Sequence, residues 1–190
     1  MNKFIIIALA VIMLLLAACG KGEAETSETA VTPEKVTQHF SWIVDPETQT
    51  EEYVGIIDNL FIAEVIKKEG TFMNKEEVPY QKFKIKILEN IKGKLATDKE
   101  VTLFVRGGIT PDGKYEYESI ARIFSPGNKY LLTGGIAGSE NEVWDEGSLV
   151  AELAYELPED YKSSEIYAKW MKAYENELPW EAWNSVEGKD

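Results

Sequence analysis

The first feature along the chain is an unbroken apolar run, Phe4 to Leu16, set between Met1-Asn2-Lys3 and Leu16-Ala17-Ala18-Cys19-Gly20. One positive side chain, an apolar stretch and small residues before a cut point describe a secretory signal over residues 1–18. The apolar stretch ends at Ala18, short of the roughly 20 residues a bilayer-spanning helix needs. From Gly20 to Pro33 the pattern becomes small, polar and acidic, with no large apolar residue. Such a stretch buries too little surface to offset its ordering entropy, so residues 19–38 are expected to be a disordered tether. A flexible linker of that size has a root-mean-square reach of roughly 20 Å.

Beyond the tether the pattern turns to short strands. Glu51 to Ile57 predicts a short helix capped by Thr50. Asn59 to Lys67 is apolar and rich in β-branched residues, which predicts a buried strand. Gly70 to Pro79 reads as a loop. From Tyr80 to Leu88, Phe83, Ile85 and Ile87 alternate with Lys82, Lys84 and Lys86. A period of two sends the apolar set to one face and the lysines to the other. Glu100 to Arg106 alternates in the same way through Val101, Leu103 and Val105. Pro111-Asp112-Gly113 and Pro126-Gly127-Asn128 predict turns on either side of a strand at Tyr115–Phe124. Lys129–Thr133 predicts another strand, Gly134-Gly135 a flexible loop running on through Gly138, and Ser148–Tyr155 a closing strand. In Ser163–Leu178, Ile166, Tyr167, Trp170, Met171, Tyr174 and Leu178 recur at helical spacing. This predicts an amphipathic helix capped by Ser163 or Ser164 and stopped at Pro179. Many short strands between turn signals indicate a mainly β domain, a small barrel or sandwich with a C-terminal amphipathic helix; the alternative is an α+β sandwich.

Two resemblances sharpen this reading. Leu16-Ala17-Ala18-Cys19 resembles the bacterial lipobox. That implies cleavage before Cys19, a diacylglyceryl group on its thiol, and a place on the extracytoplasmic face of a cell membrane. Stable anchoring takes two membrane signals, which two acyl chains on one cysteine supply. Further on, Ile57–Val65, Phe83–Gly93 and Pro126–Leu132 resemble strands and a turn of the small secreted OB-fold domains of netrin and of the tissue inhibitors of metalloproteinases. The likeness spans about Thr50 to Ile136, and the layout is also similar to that of bacterial surface lipoproteins. It implies an OB-like antiparallel barrel of five to six strands over residues 39–160, followed by a helix and Trp-containing tail over 161–190. The animal inhibitors carry many disulfides and act through an N-terminal cysteine. This chain has one cysteine, so no inhibitory residue carries over.

Composition narrows the chemistry. The 190 residues suit one domain, and 44% hydrophobic content supports a core. Twenty Lys and Arg against 33 Asp and Glu give a net charge of −13, which repels nucleic acid and anionic lipid surfaces alike. Membrane attachment is therefore expected through the lipid on Cys19. His39 is the single histidine, and no Gly-x-Ser-x-Gly elbow accompanies it. Gly134–Ser139 matches neither the phosphate-binding loop nor the dinucleotide fingerprint. Glu140, Glu142, Asp145 and Glu146 lack the spacing of an EF-hand. No metal or cofactor is expected. The candidate ligand contacts are Trp180 and Trp183 as an aromatic platform, and Lys82, Lys84 and Lys86 as a face for an anionic ligand. Trp170 is expected in the core. The expected function is a lipid-anchored binding module for a protein or cell-wall polymer. The alternatives are an envelope hydrolase using carboxylates and an envelope assembly scaffold.

Overall fold

The computed structural model describes residues 32–37, 44–137 and 147–179. The signal, Cys19, His39, the acidic loop, Trp42, Trp144, Trp180 and Trp183 lie outside these residues. The described elements run β1 (Glu34–Val36), α1 (Thr50–Ile56), β2 (Asn59–Met73), β3 (Pro79–Lys92), β4 (Glu100–Arg106), β5 (Gly108–Ile109) and β6 (Tyr115–Tyr117). A 3-10 turn at Ile120–Ile123, β7 (Lys129–Ile136), β8 (Leu149–Leu157), a 3-10 turn at Tyr161–Ser163 and α2 (Glu165–Glu175) complete them.

Five strands close a barrel in the order β2-β3-β4-β8-β7, with β7 pairing back to β2. This is the expected mainly β, OB-like barrel. One pair departs from the antiparallel expectation: β4 and β8 run parallel, Leu103 to Val105 beside Leu149 to Ala151. A second sheet, β1-β6-β5, joins β1 parallel to β6. Its first strand lies inside the stretch expected to be tether.

Period-two alternation explains β3. Phe83, Ile85 and Ile87 fill the barrel interior with Phe61, Leu103, Tyr130 and Leu132, while the lysines stay half-buried outside. β2 reads as continuously apolar because both of its faces are covered. Phe61, Ala63 and Val65 point into the barrel, and Leu60 and Ile62 lie under the helices with Tyr53, Leu131 and Trp170. The Thr102–Val105 segment of β4 is likewise buried on both faces.

Several expectations are corrected. Thr50 is not the cap of α1. Gln49 holds that position without a side-chain bond, and Thr50 is the first helical residue, its buried hydroxyl donating to Pro46 O at 3.0 Å. Half of the expected loop at Gly70–Pro79 is strand. Thr71, Phe72 and Met73 pair with Gln81, Tyr80 and Pro79, and Phe72 stacks on Tyr80 with centroids 5.5 Å apart. The turn is confined to Asn74–Val78, where Asn74 Oδ1 accepts from the N–H groups of Glu76 and Val78. The strand expected at Tyr115–Phe124 ends at Tyr117, and the 3-10 turn that follows delivers Phe124 onto Phe83 and Tyr130. Gly134 and Gly135 belong to β7, not to a flexible loop. A side chain on Gly134 would strike the backbone carbonyl of Val150, so glycine there serves close strand approach at a bulge. α2 is shorter than expected. Ser164 caps it, accepting from Tyr167 N at 3.2 Å. It ends at Asn176 rather than Pro179, because Asn176 Nδ2 donates to Lys172 O and Leu178 N donates to Glu51 O, turning the chain onto α1.

Candidate functional site

The lysine row sits where alternation places it, and its charges are largely engaged. Lys82 Nζ lies 3.9 Å from the Glu69 carboxylate and 5.8 Å from the Phe104 ring centre. Lys86 Nζ is 3.1 Å from Asp98. Lys84 stands between Lys67 on β2 and Thr102 on β4. Of the five tryptophans, Trp170 alone is described. It is 1% exposed in the core, with the Tyr53 ring edge-on at 6.0 Å.

A different place gathers unsatisfied groups. β3 carries a glutamine in phase with its apolar face: Gln81 precedes Phe83, Ile85 and Ile87 at the same spacing and is 3% exposed. Its Nε2 donates to Thr71 Oγ1 at 2.9 Å and weakly to Gly107 O at 3.4 Å. Its Oε1 is buried with no hydrogen-bond partner. A buried acceptor left unmet costs about 1–3 kcal/mol, so natural sequences keep few of them.

Gln81 forms part of the wall of a cavity of about 390 Å³ where the β2–β3 arm meets the small sheet. Lys68 and Thr71 come from β2, Lys35 from β1, Ile109 from β5, and Glu116 and Tyr117 from β6, with Glu118 beyond it. The Gly107-Gly108 pair makes this meeting possible. Both have positive φ, 92° and 103°, and a side chain on Gly108 would strike the Gln81 amide. The cavity volume falls within the range of small-molecule pockets. Lys35, Lys68, Glu116 and Glu118 line it, and among the described residues none of the four has an ion-pair partner within 4.0 Å.

A second polar cluster joins α1 to β7 and β8. Tyr53 Oη bonds Thr133 Oγ1 at 3.1 Å and donates to Glu152 at 3.5 Å. Burial pushes the Glu152 carboxyl up, the Tyr53 bond opposes this, and the Asp58 charge adds to it. Glu89 accepts from Tyr161 at 3.0 Å and Tyr167 at 2.8 Å, tying α2 to β3. These bonds fasten elements together.

Among the described residues, no group of three or more His, Cys, Asp or Glu is placed to hold a metal ion. No helix among them is long and apolar enough to cross a membrane. Sequence reasoning passed over Gln81, although the signal was present: one polar residue at an inward position of the clearest strand. The rest of the cavity depends on β1, β5 and β6 meeting that strand, which local pattern does not report. No known protein family matches the chain, and no curated protein matches it.

Proposed function

We propose that this protein is a binding module held at the extracytoplasmic face of a membrane by lipid on Cys19, with the cavity beside Gln81 as its ligand seat. In this reading residues 1–18 are removed and the chain after Cys19 spaces the domain from the bilayer. The Leu16–Cys19 pattern behind an apolar run supports the anchor. The closed barrel and C-terminal helix are consistent with kinship to netrin-like domains, though a fold by itself carries no function.

The observation that carries the binding reading is the orphaned Oε1 of Gln81. That oxygen lies in the cavity wall and is closed off from solvent, so a ligand donor would reach it only by displacing the atoms that cover it. An amide kept for the fold and one kept for a ligand differ in how stability responds to removal. Gln81→Met keeps the side-chain length and removes the unmet acceptor, at the loss of the Thr71 bond. In urea unfolding of the full chain, Gln81→Met is expected to stay within about 1 kcal/mol of wild type, or to exceed it. A loss above about 2 kcal/mol would mark Gln81 as a structural residue and remove the basis for the site.

A further inference from the structure

One wall of the cavity is a strand with little to hold it. Lys35 and Val36 of β1, and Thr37 after it, line the space that Thr71, Gln81 and Gly108 line from other strands. β1 is three residues long, Glu34 and Lys35 are exposed, and Val36 is half-buried. It is an edge strand, paired to β6 in the parallel sense, which is slightly the weaker kind of ladder. At one end Glu34 N donates to Lys114 O at 2.8 Å. At the other, Glu118 N donates to Val36 O at 3.4 Å, past the usual range of a backbone bond. The hairpin beneath it is fastened more firmly. Gly107 N donates to Pro79 O and Ser119 Oγ to Arg106 O, each at 2.7 Å. Thr110 is 7% exposed and donates from its N–H to Tyr115 O at 2.9 Å. Segments with few buried apolar contacts and solvent-exposed backbone bonds open at a small fraction of the global unfolding free energy. β1 meets that description, and the locked β5–β6 hairpin does not. We infer that β1 is a strap: it leaves β6 as a unit while β5, β6 and the barrel stay folded, and its leaving opens the cavity on the side that Lys35, Val36 and Thr37 close. The chain runs from β1 back toward Cys19. On the lipid-anchor reading, a pull through the tether therefore acts first on the strap, and a released strap lengthens the tether. The strap itself does not depend on that reading.

The test is amide hydrogen exchange of the full chain in detergent micelles, read residue by residue by NMR. The amides of Glu34 and Glu118 are expected to share one protection factor, at least about tenfold below that of Thr110. The side-chain amide of Gln81, which donates to Thr71 Oγ1 in the cavity wall, is expected to exchange in step with Glu118. Glu34→Pro removes the donor to Lys114 O at an exposed position. It is expected to lower protection at Glu118 and Gln81 about two- to tenfold, the worth of one backbone bond, and to leave Thr110 unchanged. Brief trypsin treatment reads the same opening independently, because the Lys35–Val36 bond lies within the strap. Wild type is expected to be cut there before any bond of the barrel, and Glu34→Pro faster still. Equal protection of Glu118 and Thr110, whether both slow or both fast, overturns the strap, as does a Glu118 rate that Glu34→Pro leaves alone. A Gln81 side chain that stays protected while β1 exchanges overturns the opening of the cavity. A chain recovered without lipid on Cys19 contradicts the anchor and leaves these expectations as they stand.

Discussion

The phenol of Tyr53 shows how one buried group joins two elements and sets a pH limit. Its ring packs on Trp170 and its hydroxyl bonds Thr133 on β7. Burial raises its pKa from 10.0 to about 12. The direction of the linkage follows from proton counts. Between those values the unfolded phenol loses its proton while the folded one keeps it, so the native state holds more protons and stability falls as pH rises. Below pH 10 the contribution is fully present. Tyr167 is also raised to about 12, by burial first and then by its bond to Glu89. We therefore expect the urea midpoint to decline between about pH 10 and 12. In Tyr53→Phe the decline should be shallower, and the midpoint near neutrality should be lower by about 1–2 kcal/mol of stability for the lost Thr133 bond. An unchanged slope in the variant would show that this phenol does not titrate with folding. Gln81 teaches the opposite lesson at the same scale, since its cost arises from a partner the fold withholds.

At the level of elements, the parts legible in the sequence are those with local causes. β3 and β4 followed from alternation, the turn at Pro126-Gly127 from a positive-φ glycine, and α2 from its apolar stripe. The parts that were not legible have distant causes. β1 is three residues long and exists through pairing with β6, far along the chain. Gly134 and Gly135 carry no strand preference and are held by pairing with Ala151 and Val150 on the neighbouring strand β8. Phe72 and Met73 sit in a polar stretch, yet pairing to β3 extends β2 through them. α2 depends on a single large anchor. Trp170 contacts Tyr53 and Tyr155 and fills the second core beneath the helix. Trp170→Ala is expected to cost about 3–5 kcal/mol in denaturant unfolding. A cost below about 1 kcal/mol would show that α2 is held chiefly by polar bonds, from Tyr167 to Glu89 and from Lys169 Nζ to the Glu47 carboxylate at 3.1 Å.

At the scale of the whole molecule, the fold divides its apolar surface between a barrel interior and a helix-covered outer core, and leaves a charged cavity beside the β2–β3 arm. The net charge of −13 discourages attachment to an anionic bilayer through protein surface, which leaves the lipid on Cys19 as the anchor in this account. A module tied to the envelope meets ligands there at high local concentration, so modest affinity in the cavity suffices. The most direct measurement is metabolic labelling of cells with a palmitate analogue, followed by fractionation, comparing wild type with Cys19→Ser. The account predicts a labelled, membrane-bound wild type and a variant with neither label nor membrane retention. Equal labelling of the two, or a mature wild type that still carries residues 1–18, would contradict it.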